Sequence, residues 1–411
     1  MKKFLPLLIL GLFINCSQDD PQTQNPPIVV IAPKVEQISP QKSKIGDTLI
    51  IKGENLKMIN LVKFEHVQGM YNRYDREVLA YSFVTHEDNL IEVVIPTVVH
   101  ENIKILIGSE RYPVDLFGFI PLSNNYQPKQ IQTLDENIGF LLEGKKLLKS
   151  TDGFYTWNPV IEYIEGYPDT FFFLNENQGW ISYSDPISGR GLYYTENGGK
   201  DFDLLVRLKN YANGHSRKIY FVNKNLGYLI EGDGNVIVLE NNEAIDLYEY
   251  YPQLNNVNIA PIDFWDLTAV NEELLFLAPN DREFLVKIEN GNVTYSAFDI
   301  WPMAPQFFGD TGYLQANSDI YKSTDLGENW DRIKTFDNHY PRIHFFDEEN
   351  GMAFVNYTPE KIFRTRNGGT TWTEYPYPAT VPIRTSGNET TDLFTGSLGI
   401  MGRSLVKYIK E

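Results

Sequence analysis

The chain has 411 residues, a formal net charge of −18, and 42% hydrophobic and 14% aromatic residues. This length exceeds that of one ordinary domain, and the aromatic content favours a strand-rich, well-packed protein over a disordered one. Because the negative charge repels phosphate backbones, the composition argues against a nucleic-acid partner.

Residues 1–15 predict a secretory signal peptide. Two lysines precede the apolar run at residues 4–14, which is too short for an ordinary membrane-spanning helix. The segment Phe13-Ile14-Asn15-Cys16 resembles the lipobox of bacterial lipoproteins, in which the cysteine follows the cleavage site. The resemblance implies a lipid anchor on Cys16, and the alternatives are an uncleaved anchor or a buried free thiol. Cys16 is the only cysteine, so the chain has neither an internal disulfide nor a cysteine-based zinc site.

Residues 16–33 predict a disordered tether, because their Gln, Asn and Pro content cannot bury a core. The sequence Ser-Gln-Asp-Asp at 17–20 resembles the short acidic export signal of Bacteroidetes lipoproteins that reach the outer face of the outer membrane. The resemblance implies an outer-membrane lipoprotein that faces the cell exterior. The alternative is an ordinary polar tether and a periplasmic location.

Residues 34–118 predict a small β-sandwich, because short apolar strands recur there between Gly and Pro residues. The sequences Ile-Ser-Pro at 38–40, Gly-Asp at 46–47 and Ile-Glu-Val-Val-Ile-Pro at 91–96 resemble the IPT/TIG family of immunoglobulin-like domains. The resemblance implies a spacer or interaction module without a catalytic role.

Residues 119–411 contain a repeated motif. Its first copy is Ser-Thr-Asp-Gly-Phe-Tyr-Thr-Trp at 150–157, and further copies lie at 195–202, 323–330 and 365–372. Strand signals recur every forty to fifty residues or so, which is the spacing of propeller blades. The pattern predicts an all-β chain with seven four-stranded sheets in this part. The last sheet would lack one strand, and we expect residues 117–126 to supply it and to close the ring.

The motif resembles the Asp-box, or BNR repeat, of sialidases, sortilin-type receptors, xyloglucanases and photosystem II stability-factor-like propellers. The resemblance implies a single seven-bladed β-propeller after the Ig-like sandwich. In such a turn the Asp accepts backbone N–H groups, Gly allows a positive φ, and Trp covers the joint. Phe154 stands where Gly is usual and predicts a distorted first turn. We assign a structural role to Ser150, Asp152, Trp157, Asn197, Gly199, Ser323, Asp325, Gly327, Trp330, Asn367, Gly369 and Trp372.

The sequence contains no short catalytic signature that we could identify. A sialidase would carry Phe-Arg-Ile-Pro, whereas this chain has Phe-Ile-Pro at 119–121. The histidines lack metal-ligand spacing, so we predict neither a metal nor a cofactor. A paired-carboxylate hydrolase remains an alternative, since the chain has 54 acidic residues. The arginines that could converge on a substrate are Arg190, Arg207, Arg217, Arg342 and Arg384.

Aromatic residues near strand ends are the candidates for partner recognition. Tyr248 and Tyr250 would share one face if that stretch were extended, whereas Trp180 lies mid-strand and is assigned to the core. The candidates are Tyr248, Tyr250, Tyr251, Trp265 and Trp301.

The sequence as a whole favours a monomeric, non-catalytic outer-membrane surface lipoprotein whose propeller binds a protein or glycan partner, with the IPT/TIG domain as spacer. The alternative is a glycoside hydrolase, sialidase-like or xyloglucanase-like, that acts on extracellular glycans.

Overall fold

A computed structural model describes most of the chain from residue 32 onward. The signal segment with Cys16, most of the tether, and Arg384 lie outside the described residues. These are 32–66, 77–80, 83–96, 102–107, 110–116, 118–123, 128–162, 164, 166–185, 189–208, 215–256, 262–337, 339–355, 361–375, 393–396, 398–401 and 404–409.

The first nine strands form two sheets around one core. The sheets have the strand orders β1-β3-β7-β6 and β2-β9-β8-β4-β5. Alternate residues of β3 point inward, and Leu49 and Ile51 meet Phe64 and Ile105 of the other sheet in a single buried cluster. The strands are β1 (Lys34–Ser39), β2 (Lys42–Ser43), β3 (Thr48–Glu54), β4 (Val62–His66), β5 (Glu77–Ala80), β6 (Phe83–His86), β7 (Leu90–Val94), β8 (Asn102–Ile107) and β9 (Glu110–Leu116).

The remaining strands form seven four-stranded antiparallel sheets among the described residues. Six of them are meanders of four consecutive strands, and the seventh combines β10 with the last three strands. In chain order the strands are β10 (Gly118–Ser123), β11 (Gln130–Thr133), β12 (Gly139–Glu143), β13 (Lys146–Ser150), β14 (Asn158–Ile161), β15 (Tyr167–Phe173), β16 (Gly179–Asp185), β17 (Gly189–Thr195), β18 (Asp203–Arg207), β19 (Ser216–Phe221), β20 (Leu226–Glu231), β21 (Val236–Glu240), β22 (Glu243–Asp246), β23 (Phe264–Ala269), β24 (Leu274–Pro279), β25 (Phe284–Glu289), β26 (Asn292–Ala297), β27 (Gln306–Phe308), β28 (Thr311–Ala316), β29 (Asp319–Ser323), β30 (Asp331–Thr335), β31 (Pro341–Phe345), β32 (Gly351–Val355), β33 (Lys361–Thr365), β34 (Thr373–Tyr375), β35 (Leu393–Thr395), β36 (Leu398–Met401) and β37 (Ser404–Ile409).

Each of these sheets packs on its neighbours with both faces, so its middle strands are largely buried. All six residues of β20 and all six of β24 are buried. Aromatic stacks join consecutive sheets: Phe140 lies on Phe173 with ring centroids 3.6 Å apart, and Tyr313 lies on Phe345 at 3.5 Å. Trp180 stacks on the next sheet in the same way and is 1% exposed, which confirms its predicted place in the core.

The last sheet is completed from the N-terminal side, as predicted. β10 pairs antiparallel with β37, and Gly118 lies opposite Ile409. Phe119 also packs on Tyr408, with ring centroids 5.2 Å apart. The segment at 117–126 therefore supplies the missing strand, and the C-terminal strands have no open edge on that side.

The two-sheet unit at the N-terminus packs directly on this last sheet. Ile120 of β10 is fully buried in the core of the two-sheet unit, and Ile409 packs against the same core. The ammonium of Lys44 lies 5.2 Å from the centre of the Tyr375 ring on the neighbouring sheet. The two parts of the chain thus share a continuous apolar contact.

Helices are few, so the chain is nearly all-β. The described residues contain the four-residue helix α1 (Leu247–Tyr250) and two 3-10 segments, Leu56–Met58 and Pro252–Asn256. No helix in this described part is both long and apolar enough to span a membrane.

Candidate functional site

The four repeated motifs form hairpin turns with one shared hydrogen-bond pattern. In the first copy, the Ser150 hydroxyl donates to Asp152 (2.9 Å), and the Asp152 carboxylate accepts the backbone N–H of Thr156 at 2.9 Å. The Ser150 oxygen also accepts the backbone N–H of Phe154 at 3.0 Å. The carboxylate and the hydroxyl therefore supply acceptors that the turning backbone lacks.

Asn performs the same task where it replaces Asp. Asn197 accepts from the backbone N–H of Asp201 at 3.1 Å, and Asn367 accepts from that of Thr371 at 2.9 Å. Asp325 accepts from Asn329 at 3.0 Å, and hydrogen bonds from Asn329 and Ser323 lower its pKa to about 2. These contacts account for the motif residues as parts of the hairpin.

The expected distortion of the first turn does not occur. Each turn has two consecutive residues with positive φ, and Phe154 adopts φ 76° where Gly199, Gly327 and Gly369 have 90°, 79° and 85°. Phe154 accepts this strained backbone because its ring is fully buried beside Trp157. The bond from the Phe154 N–H to Ser150 is kept as well.

The strand order gives the sheets two distinct ends. The repeated turns join the third strand of a meander to the fourth. In each meander the first strand begins, and the fourth strand ends, at the opposite end of the sheet from this connection. The first strands of neighbouring sheets also run in the same direction, since Gln130 and Gln132 of β11 bond to the backbones of Phe171 and Phe173 in β15. The starts of the first strands therefore gather at one end, which we call the entry face.

Large apolar side chains are exposed at the entry face. Trp265 is 52% exposed at the start of β23, and Trp301 is 54% exposed before β27. Tyr167 and Tyr340 are exposed at or just before the starts of β15 and β31. In the described part of the seven sheets, Leu204 is the one exposed large apolar residue away from this face. Such exposed groups are typical of binding surfaces.

The three predicted tyrosines have packing roles instead. Residues 247–250 form helix α1, so Tyr248 and Tyr250 do not lie on one face of an extended strand. The Tyr248 hydroxyl accepts from the backbone N–H of Ile262 at 2.7 Å, and the Tyr250 hydroxyl donates to Glu240 at 2.8 Å. Tyr251 is half-buried against the same core. Of the five predicted aromatic contacts, Trp265 and Trp301 are the strongly exposed ones.

Three consecutive first strands carry an extra residue at the same place. Asp169, Arg217 and Trp265 each interrupt the ladder near the start of β15, β19 and β23. A residue inserted in this way leaves the strand pairing, and its side chain is redirected. The three side chains therefore belong to the entry face rather than to the regular sheet surface.

Contacts join these three residues across the sheets. A carboxylate oxygen of Asp169 accepts the backbone N–H of Ser216, next to Arg217, at 3.1 Å. The Arg217 guanidinium lies 4.9 Å from the centre of the Trp265 ring. A guanidinium over an indole ring gains a cation–π attraction, and its N–H groups can still donate hydrogen bonds.

A buried layer fixes this arrangement from below. The Ser216 hydroxyl lies 2.7 Å from that of Ser182 and accepts a hydrogen bond from Arg190 at 3.1 Å. Arg190 also pairs with Glu231 at 3.0 Å, and both side chains are at least 96% buried, with exposures of 4% and 2%. Buried charges stay ionised only when they are paired in this manner.

Desolvation shifts the pKa values of two ionisable groups near the entry face. It raises the pKa of Asp169, against the opposing effects of the Ser216 N–H and of the cations Lys129 and Arg190. It lowers the pKa of Lys129, whose ammonium donates to the backbone oxygen of Pro168 at 2.7 Å. Ionisable groups with shifted pKa values are common at functional sites.

The four described candidate arginines lie at the entry-face ends of their strands. Arg190 and Arg217 meet through Ser216, but Arg190 is engaged with Glu231. Arg207 ends the outer strand β18, and Arg342 lies near the start of β31 in another sheet. Arg190 therefore has its charge paired with Glu231 rather than directed at a substrate carboxylate.

Asp169, Lys129 and Ser216 were not predicted as site residues. The sequence carries only a weak signal for this site. The alternation of inward and outward residues is interrupted near the starts of three strands, at Pro-Asp-Thr 168–170, Ser-Arg-Lys 216–218 and Phe-Trp-Asp 264–266. Such breaks indicate a bulge only once the partner strand is known.

Two solved structures of YCF48 are similar to this chain. YCF48 bound to a D1 peptide is 17% identical, with a TM-score of 0.52, and the match covers 72% of this chain and 96% of that one. YCF48 from Cyanidioschyzon merolae is 15% identical, with a TM-score of 0.54 and coverages of 71% and 99%. At this identity the likeness shows the fold alone, a β-propeller.

Other comparisons are weaker or empty. An auxiliary nutrient binding protein from Bacteroides thetaiotaomicron is 12% identical, with a TM-score of 0.36 and coverages of 83% and 96%. No protein-family model matches the sequence, and no curated protein matches it.

Proposed function

We propose that the protein is a non-catalytic binding protein whose entry face holds a protein or glycan partner. The observation that carries the proposal is the segregation of side chains between the two ends. Trp265, Trp301, Tyr167 and Tyr340 are exposed at the entry face, whereas the polar groups of the repeated turns are engaged within their own hairpins. A surface that exposes aromatic rings beside charged groups suits recognition.

The proposed architecture follows the sequence. Residues 1–15 are a signal peptide, 16–33 a tether, 34–118 an IPT/TIG-type Ig-like spacer, and 119–411 a seven-bladed Asp-box propeller. Cys16 carries a lipid that anchors a monomer to the outer membrane, facing the cell exterior. The seven four-stranded sheets and the closure by β10 support the blade number.

The binding proposal is tested with paired surface variants of the full chain. Trp265→Ala combined with Trp301→Ala should abolish partner capture on glycan arrays and on immobilised extracellular proteins. Leu204→Ala is the matched control, because Leu204 is exposed but lies on outer strand β18. Equal capture by the wild type and the double variant would contradict the proposal.

The anchor is tested separately. Cys16→Ser should leave the protein without its lipid, so that metabolic labelling with a fatty acid fails and the protein leaves the membrane fraction. Normal labelling or membrane retention of this variant would refute the anchor. Protease accessibility on intact cells distinguishes the exterior from the periplasmic face.

A glycoside hydrolase is the second candidate, and Asp169 is the observation that favours it. Its raised pKa is a property of a general acid. Glu231, the buried carboxylate below it, is engaged by Arg190. Release of reducing sugar by the wild type, lost in Asp169→Asn, would establish the enzyme and overturn the non-catalytic proposal.

A further inference from the structure

Asp169, Arg217 and Trp265 occupy equivalent places at the entry face in three neighbouring sheets. Each is the extra residue of its first strand, and the chain of contacts runs from Asp169 through Ser216 to Arg217 and Trp265. The Ser216 hydroxyl is held by Arg190 and Ser182 in the buried layer, which fixes the chain position from which Arg217 projects.

Arg217 has unused capacity for an anion. Among the described residues no carboxylate lies within 4.0 Å of its guanidinium. The guanidinium instead lies over the ring of Trp265. A flat guanidinium presents two parallel N–H donors, which match a carboxylate. Asp169 and the net charge of −18 disfavour a doubly charged phosphate more strongly than a singly charged carboxylate.

The two neighbours of Arg217 restrict the ligand further. Trp265 is 52% exposed and offers a flat apolar surface. Among the described residues, one oxygen of Asp169 accepts a hydrogen bond from the Ser216 N–H. The other oxygen can accept from a ligand hydroxyl. A ligand that uses all three groups supplies a carboxylate for Arg217, an apolar face for Trp265 and a hydrogen-bond donor for Asp169.

We infer that Asp169, Arg217 and Trp265 bind a carboxylate-bearing sugar residue of an oligosaccharide. The C–H face of a pyranose ring packs on Trp265, its carboxylate pairs with Arg217, and a ring hydroxyl donates to Asp169. An ionised acidic side chain of a peptide satisfies Arg217, but it offers neither a hydrogen-bond donor for Asp169 nor a broad apolar face for Trp265. This inference rests on the proposed binding function and specifies the class of ligand.

The test measures binding of uronic-acid trisaccharides to the full chain by calorimetry. The panel contains galacturonate, glucuronate and mannuronate trisaccharides, and each has a matched methyl ester in which the carboxylate is neutral. At least one acid should bind, and its ester should bind about 10-fold or more weakly, because a charge-assisted hydrogen-bonded pair is lost. Equal affinity for acid and ester would overturn the inference.

Variants assign the binding to this site. Arg217→Gln should weaken the acid by about 10-fold or more without affecting the ester, and Trp265→Ala should weaken both. Arg366→Gln is the matched control, since Arg366 is exposed in a repeated turn at the opposite end. Both site residues are exposed, so the variants should fold, and circular dichroism checks this.

Other outcomes separate this inference from the binding proposal. No binding of any acid in the panel, or tighter binding of an aspartate-rich peptide at Arg217, would overturn the sugar assignment. In either case, loss of partner capture in the Trp265→Ala, Trp301→Ala variant would still support the proposed function.

Discussion

Asp325 illustrates how the repeated turns are held at the level of single atoms. Its carboxylate accepts the Ser323 hydroxyl at 2.7 Å and both the backbone and the side-chain N–H groups of Asn329 at 3.0 and 2.7 Å. All three bonds favour the ionised form, which explains a pKa of about 2.

Removal of this carboxylate should destabilise the protein modestly. Asp325→Ala should lower the free energy of unfolding by about 1 kcal/mol, as the loss of a helix N-cap does, because backbone N–H groups lose their acceptor. Asp325→Asn should cost less, since Asn197 and Asn367 keep the same bond. Urea denaturation at pH 7 measures both, and an equal cost for the two variants would contradict this account.

The advantage of Asp over Asn at position 325 should also depend on pH. The folded pKa is depressed, so the stabilisation is present above the unfolded pKa of about 4 and is lost as the pH falls towards 2. The unfolding midpoints of wild type and Asp325→Asn should therefore converge across this range. A constant difference would show that the charge is not responsible.

Phe154 combines backbone strain with deep burial, and the two effects have opposite signs. Phe154→Gly relieves about 1–2 kcal/mol of strain, whereas loss of the buried ring costs about 3–5 kcal/mol. We therefore expect a net loss of about 1–4 kcal/mol. Phe154→Ala keeps the strain and should cost about 1 kcal/mol more than Phe154→Gly in the same urea titration, and the reverse order would contradict the strain argument.

At the scale of elements, β17 and β20 are joined by the buried pair of Arg190 and Glu231. Glu231→Leu should lower the free energy of unfolding by about 3–5 kcal/mol, because it leaves a buried guanidinium without its carboxylate. The double variant Arg190→Met, Glu231→Leu should recover much of that loss. Chemical denaturation of the four proteins gives the coupling energy, and simple additivity would show that the pair is not coupled.

Strand positions were predictable because the repeat and the alternation are local signals. The sequence predicts strands at 170–174, 179–183, 191–195 and 202–208, and the structure has them at Tyr167–Phe173, Gly179–Asp185, Gly189–Thr195 and Asp203–Arg207. The helix at 247–250 was missed, although Asp246 caps it by accepting from the Tyr248 N–H at 2.9 Å.

The site itself was only partly predictable. Trp265 and Trp301 were selected as aromatic residues near strand ends, and their exposure agrees with that selection. Asp169 was not predicted as a site residue because its position depends on a bulge. A bulge depends on the register with the partner strand, which the sequence of one strand does not contain. The packing of Tyr248 and Tyr250 depends on neighbouring sheets in the same way.

At the scale of the whole molecule, β10 ties the N-terminal unit to the end of the chain. Deletion of residues 1–126 removes β10 and exposes the edge of β37, together with the buried face of Tyr408. We expect the melting temperature to fall by about 10 °C or more, with aggregation. Deletion of residues 1–31 is the control and should leave the melting temperature unchanged. A monodisperse 127–411 fragment with the wild-type melting temperature would contradict the role of β10.

The pairing of β10 with β37 also bears on the rates of folding and unfolding. It joins segments roughly 290 residues apart, whereas six of the seven sheets are built from consecutive strands. We expect a contact of such high sequence separation to form late, after the local meanders. An interaction absent from the folding transition state slows unfolding without speeding folding. We therefore expect the pairing of β10 with β37 to affect the unfolding rate of the chain more than its folding rate. While this pairing persists, it should protect the protein from proteolysis.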